Sequence, residues 1–303
     1  MYGVVDIGSN TIRLVIYRYE DGKLTRMLNK KYTAGLAGYV NKDNELTKAG
    51  IQVAIDSLND IKLLLESIRL EQLFVFATAS LRNIINTEEA VQAITEATGY
   101  SIRVLTGEEE AMFDYYGILL DNPKPDGLAV DIGGGSTELI FFHNHKIVHA
   151  QSLPIGSLNL YREYIGDLLP RPGETKAIRK EVRKRLKKIS LPDDIDLSTA
   201  YWVGGSGRAV SKLLRAKYGV PDESRTYEKE YLDKLVEKYG KSREKFADLI
   251  LRSAPERIHT VVPGMYVMEE ILTYYDTKEI VSVQNSVREG YLWTQLKELG
   301  VII

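Results

Sequence analysis

Residues 128–142 read LAVDIGGGSTELIFF. An apolar run ends in Asp131, three glycines follow in a row, then Ser136 and Thr137, then a second apolar run. The pattern predicts two strands joined by a glycine turn. Glycine loses more backbone freedom on folding than any other residue, so a run of three needs a reason. A tight hairpin is the plain reason. The functional one is anion capture, because glycines let backbone N–H groups converge on one point without obstruction. Nearly the same pattern opens the chain, as YGVVDIGSNTIRLVIY at 2–17. Setting Asp6 on Asp131, with one residue inserted, brings Thr11 onto Thr137 and Leu14 onto Ile140. Each aspartate ends a strand where an apolar residue would fit, so its burial demands a partner. A carboxylate beside a phosphate repels it unless a divalent cation lies between them, and Mg²⁺ takes few carboxylates.

Outward from these hairpins the chain alternates strands and helices, which is an α/β pattern. Strands are expected at Tyr2–Asp6, Arg13–Tyr19 and Leu24–Lys30, and again at Leu128–Ile132, Glu138–Phe142 and Lys146–Leu153. Ile51, Ile55, Leu58, Ile61 and Leu65 show helical spacing. Thr87 reads as an N-cap and Gly99 as the stop of the same helix. DNPKPDG, Asp121–Gly127, reads as a linker and hinge. The expected division is a first domain of 1–122 plus 286–303 and a second of 123–285, a duplicated pair.

Composition narrows the function classes. The 303 residues carry a net charge of −2, so no global field argues for nucleic acid or membrane. There is no cysteine, which excludes disulfides, thiolate metal sites and a cysteine nucleophile. No apolar run reaches the ~18 residues of a membrane span. The chain opens directly on a strand, and the expectation is a cytoplasmic protein. KAIRKEVRKRLKK at 176–188 has eight basic residues and an apolar stripe at Ile178, Val182 and Leu186. Its basic face is either simply solvated or a rail for a polyanion. HNH at 143–145 reads as an ordinary hairpin tip.

Seven segments occur in a telling order: DIGSNTIRLVI, ATASLRNIIN (77–86), LTGEEEA (105–111), DIGGGSTEL, LPIGSLNL (153–160), GGSGRAV (204–210) and VREGYL (287–292). Together they resemble the exopolyphosphatase and guanosine pentaphosphate phosphohydrolase family, in its short two-domain form. That resemblance implies duplicated actin-like, ribonuclease H-like domains around an interdomain cleft. The two glycine turns would be its facing phosphate elements. It implies phosphoanhydride hydrolysis with Mg²⁺ or Mn²⁺. The substrate would be inorganic polyphosphate or, as the alternative, a phosphorylated guanosine nucleotide. No nucleic-acid or membrane partner is expected, and a homodimer is open. A kinase of the same fold and a non-catalytic polyphosphate or nucleotide sensor are the rivals from other classes.

The resemblance also assigns roles. Glu110, directly before the alanine of GEEEA, would activate water, while Glu108 and Glu109 would serve the helix dipole. Asp6, Asp131 and Glu138 would hold the metal. Arg82 would contact the terminal phosphate, as a guanidinium can do bidentately. Ser9, Asn10, Thr11, Gly133, Gly134, Gly135, Ser136 and Thr137 would bind phosphate, and Gly205, Ser206 and Gly207 would line the outer substrate chain. Three departures from the family pattern lie toward that outer end: Arg208 in place of threonine, Gln284-Asn285-Ser286 in place of acids, and KYTAGLAG at 31–38.

Overall fold

The computed structural model describes residues 1–191, 195–220 and 225–302. β1 (Tyr2–Ile7), β2 (Ile12–Glu20) and β3 (Lys23–Tyr32) form an antiparallel meander. α1 (Lys48–Leu65), capped by the Thr47 side chain, crosses over to β4 (Gln72–Ala77), which runs parallel to β1. α2 (Ala79–Arg82), α3 (Thr87–Thr98) and β5 (Arg103–Val104) complete a sheet of order β3-β2-β1-β4-β5. Gly99 ends α3 in a left-handed conformation, as expected. The N-cap of α3 is Asn86, one residue early, because the Thr87 hydroxyl turns back to the carbonyls of Leu81 and Ile84.

α4 (Gly107–Leu119) leads into a second series. β6 (Gly127–Ile132), β7 (Thr137–His143) and β8 (Lys146–Leu153) are again a meander, with Asn144 and His145 at a left-handed tip. Then come α5 (Ser157–Tyr164), α6 (Pro172–Leu186), β9 (Thr199–Val203) and α7 (Gly204–Tyr218). β10 (Thr226–Glu228), α8 (Lys229–Lys241), α9 (Arg243–Ser253), α10 (Val261–Tyr274), β11 (Glu279–Ser282) and α11 (Val287–Glu298) follow. The second sheet has the order β10-β11-β9-β6-β7-β8. Without the edge strand β10 it repeats the first: a meander with two parallel strands added beside its opening strand.

The strand register corrects the alignment of the repeats. Ile7 lies opposite Ile12 and Ile132 opposite Thr137, so the turns Gly8–Thr11 and Gly133–Ser136 are equal in length. No residue is inserted. Thr11 corresponds to Ser136, Ile12 to Thr137 and Leu14 to Leu139. A one-residue slip would have moved every side chain of β7 to the other face of its sheet.

The chain divides into two compact units, Met1–Glu110 with Tyr291–Ile303, and Ala111–Gly290. The divisions fall inside α4 and α11, whereas the sequence pointed to the proline-rich linker and to residue 286. Packing explains the difference. Ala111, Tyr115 and Ile118 of α4 already join Ala129, Ile140, Phe142 and Tyr201 in a core on one face of the second sheet. The other face is covered by α6, α7 and α10 around Trp202, Phe141 and Ile178. In the first unit, α1 and α3 bury Leu58, Ile61 and Ile94 against Val5, Ile7 and Leu14. Tyr291 of α11 stacks on Phe76 at 4.9 Å and Trp293 meets Tyr19 at 6.3 Å.

Candidate active site

The two glycine turns are closed and backed in the same way. Gly8 N–H donates to the Thr11 carbonyl, and Gly133 N–H to that of Ser136. Behind the second turn stands the start of α5, whose first amides have no intrahelical acceptor. Ser157 N–H donates to the Gly133 carbonyl, and the amides of Leu158 and Asn159 donate to Gly134. The Asn159 side chain adds a bond to the Gly135 carbonyl. Gly156 allows this approach, because a Cβ there would lie 2.2 Å from the Gly134 oxygen. Behind the first turn, Gly35 N–H donates to Asn10 and Ala37 N–H to Ser9. The departure KYTAGLAG thus supplies the backing of that turn. With the carbonyls held from behind, the amides of Ser9, Asn10, Gly134 and Gly135 find no acceptor among the described residues. An anion is the ligand such amides suit.

The carboxylates differ between the turns. Asp6 lies opposite Arg13 across β1 and β2, whereas Asp131 lies opposite Glu138 across β6 and β7. Glu138 is buried, not an exposed strand residue, and its Oε1 accepts from the Ser152 hydroxyl at 2.7 Å. Two carboxylates side by side on one sheet face repel each other. A divalent cation with oxygen ligands resolves that, so Asp131 and Glu138 fit Mg²⁺, which needs only one or two carboxylates when phosphate completes its shell. Among the described residues no group of three or more His, Cys, Asp or Glu side chains forms a ready cage. Asp6, with an arginine opposite, fits the metal role less well.

The acidic triplet at the start of α4 separates by helical phase. Glu108 is exposed. Glu109 closes a capping box, accepting from the Thr106 amide while its own amide donates to the Thr106 hydroxyl. Burial would raise the Glu109 pKa, but Thr106 and Arg103 hold it below the usual carboxylate range. Glu110 is buried, with 8% of its surface exposed, and Arg82 Nη1 donates to its Oε2 at 2.6 Å. The same nitrogen donates to the Leu105 carbonyl at 3.1 Å. The structure therefore joins Arg82 to Glu110 within the first unit.

Other sequence candidates have structural engagements. The Thr137 hydroxyl donates to the Ile155 carbonyl in a fully buried position. Ser206 Oγ donates to the Ile132 carbonyl, and Gly207 lies against Trp202 and Met268. Thr11 is half-buried and Ser136 is buried where the turns close. Gly205 alone of its loop faces an unexpected group: a Cβ there would lie 2.2 Å from Arg257 Nη2. Arg257 is half-buried, and its guanidinium has no hydrogen-bond partner among the described residues. Burial disfavours its charge, while Glu256 and Asp131 favour it. Nothing local in PERIH signals this residue; only the fold carries it to the glycine loop.

The basic face of α6 is largely neutralised within the second unit. Arg179 pairs with Glu269 and Glu270 of α10, Arg183 grips Glu270 through two nitrogens, and Arg185 pairs with Glu181. Glu270 is 2% exposed.

Residues 15–299 match the Ppx/GppA phosphatase family. This chain belongs to that family. It is 23% identical over 98% of its length to a Haemophilus influenzae protein that carries the provisional name exopolyphosphatase, of which it covers 92%. It is 26% identical over 99% of its length to a guanosine-5'-triphosphate,3'-diphosphate pyrophosphatase of Aliivibrio fischeri, and spans 60% of that longer protein. In fold it is similar to the Aquifex aeolicus Ppx/GppA family member, with a TM-score of 0.81, 24% identity and coverage of 98% and 97%. A Cytophaga hutchinsonii exopolyphosphatase gives a TM-score of 0.83 at 22% identity, with 98% of both chains covered. The duplicated α/β fold observed here is the fold of these solved Ppx/GppA proteins. No helix among the described residues is long and apolar enough to cross a membrane.

Proposed function

We propose that this phosphatase is an exopolyphosphatase, releasing terminal orthophosphate from inorganic polyphosphate. The observation that carries the reading is that each unit has a turn with two amides, Ser9 and Asn10 in the first and Gly134 and Gly135 in the second, that find no acceptor among the described residues. In the step, a water oxygen attacks the terminal phosphorus and its proton passes to Glu110. The bridging P–O bond breaks, and the shortened chain leaves with the electron pair. Little covalent chemistry falls to the protein, so positioning and charge stabilisation carry most of the rate. Arg82 fixes the Glu110 carboxylate and offers its fork to phosphate oxygens. The turn amides hold the charge that develops on the phosphoryl group. Asp131 and Glu138 would hold Mg²⁺ or Mn²⁺, which when bound neutralises phosphate charge.

Polyphosphate is favoured because the relative matched over nearly the full length of both chains carries the exopolyphosphatase name. Hydrolysis of guanosine pentaphosphate is the second reading, favoured by the A. fischeri relative. Phosphate release measured side by side on long-chain polyphosphate, guanosine pentaphosphate and ATP separates them. Fastest release from polyphosphate is expected. Faster release from the guanosine nucleotide would exchange the two readings, and none from any substrate would remove both.

A further inference from the structure

The repeat extends past the glycine turns. In the first unit Ser80 Oγ donates to the Ile7 carbonyl at 2.5 Å, and in the second Ser206 Oγ donates to the Ile132 carbonyl at 2.7 Å. Ile7 and Ile132 hold the same place, each directly before its turn. Both serines stand in the first turn of the helix that follows the parallel strand, β4 or β9. Two residues further on are Arg82 in α2 and Arg208 in α7. The counterpart of Glu110 can be placed in the same way. Glu109 caps α4 through Thr106, and Glu289 caps α11 through Ser286. The next residue is Glu110 in one unit and Gly290 in the other. Gly290 cannot acquire a side chain, since a Cβ there would lie 1.8 Å from the Phe113 carbonyl oxygen. The second unit therefore repeats the arginine without repeating the acid.

We propose that Arg208 is a phosphate-binding residue of the substrate site, the counterpart in the second unit of Arg82. The proposal rests on the phosphohydrolase reading above. Its position is half-buried, at the start of a helix whose first residues are glycines. A second observation lies at the same helix start: Arg257 Nη2 is where a Cβ on Gly205 would fall, and this guanidinium has no hydrogen-bond partner among the described residues. The Asp131 carboxylate lies against Gly204 on the same loop. A guanidinium at 208 can hold phosphate oxygens bidentately. The ligand chemistry is a phosphate oxyanion, from either a polyphosphate or a nucleotide polyphosphate.

The test uses the full chain as wild type, Arg208→Gln, Arg208→Lys and Arg82→Gln. Phosphate release from long-chain polyphosphate and guanosine pentaphosphate is measured with Mg²⁺ present. Binding of tripolyphosphate is titrated separately at two salt concentrations. Arg208→Gln is expected to raise KM and the tripolyphosphate Kd roughly 10-fold, as loss of a charge-assisted bidentate contact does. KM should rise more than kcat falls, and the salt dependence of binding should flatten. Arg208→Lys should recover part of the affinity. Loss on only one of the two substrates would tell which source of phosphate the residue serves. Unchanged Kd and KM in Arg208→Gln would overturn the proposal. So would a loss that comes with a lowered melting temperature and is not relieved in Arg208→Lys. If the wild type binds tripolyphosphate but hydrolyses nothing, the hydrolase reading falls while the titration still judges Arg208. If it binds no tripolyphosphate, both fall.

Discussion

The turns Gly8–Thr11 and Gly133–Ser136 close with the same hydrogen bond, yet across their strands Asp6 meets Arg13 while Asp131 meets Glu138. The first unit carries a buried acid tied to an arginine, Glu110 to Arg82, and the second has Gly290 in the acid's place. One scaffold thus presents two chemistries. The backbone of the turn is the same in both copies, while the side chains at matching positions differ. On the proposed function one base and one cation site suffice, so the second copy of each is dispensable. Four experiments probe that division of labour.

The largest effect is expected at the acid. Glu110→Gln keeps the shape and the hydrogen bond to Arg82 but removes the base. Rates should fall by about 10²–10⁴ with substrate binding retained. Gln is also the natural change at Glu109, whose oxygens serve the helix cap and Arg103. There a modest loss of stability is expected with most of the rate kept. Equal rate losses at 109 and 110 would break the assignment of one base to the first unit.

The backing of the turns gives the next contrast. Gly156→Ala forces a methyl into the Gly134 carbonyl, so it should cost about 1–3 kcal/mol of stability and weaken phosphate binding. Gly38, near the first turn, has nothing within 4 Å of an added Cβ. Gly38→Ala should stay within about 0.5 kcal/mol of wild type. Thermal melts with and without phosphate check both. A silent Gly156→Ala would mean that the second turn is not held from behind by α5.

Much of this was legible in the sequence, for identifiable reasons. The hairpins announced themselves because their strands are apolar and their turns glycine-rich. Glu110 was separable from its neighbours by the resemblance, and the structure shows why in physical terms: Glu108 faces solvent and Glu109 caps the helix. The repeat was visible but misaligned by one residue. Side-chain likeness drew Thr11 to Thr137, whereas strand register, which no local similarity reports, sets it on Ser136. Arg257 was missed because it joins the glycine loop only through tertiary folding. The compact units divide elsewhere than the linker for a related reason: proline and glycine mark a turn-rich stretch, but packing of α4 and α11 decides where each unit begins.

Metal dependence should divide the two aspartates. Asp131→Asn leaves Glu138 without its neighbouring charge and should raise the Mg²⁺ concentration for half-maximal activity by roughly 10-fold or more. Asp6→Asn faces Arg13, so a smaller shift in Mg²⁺ demand is expected. Equal shifts would put both aspartates in the same role, and full activity in excess chelator would remove the metal from either.

The smallest effect is expected on α6, which the sequence offered as a rail for polyanions. Eight basic residues gave that impression. Glu269, Glu270 and Glu181 now account for Arg179, Arg183 and Arg185, with Lys184 3.6 Å from Glu181. Arg179 also lies over the Tyr266 ring at 4.7 Å, which ties it to α10. The arginines therefore join two helices of the second unit. Burial pushes the Glu269 pKa up, which marks how far this cluster is from a solvated face. What remains for steering is Lys176, Lys180, Lys187 and Lys188, whose field is screened over about 8 Å at physiological salt. Changing Lys180 and Lys187 to Gln should thus alter kcat/KM for long-chain polyphosphate by less than about twofold, within what a few rim charges typically change in association. Glu270→Gln, in contrast, should lower stability by about 3 kcal/mol, because it strips a buried cluster of its central charge. A larger kinetic effect of the lysine pair on long chains than on tripolyphosphate, with no change in melting temperature, would restore the rail and show that four lysines suffice for it.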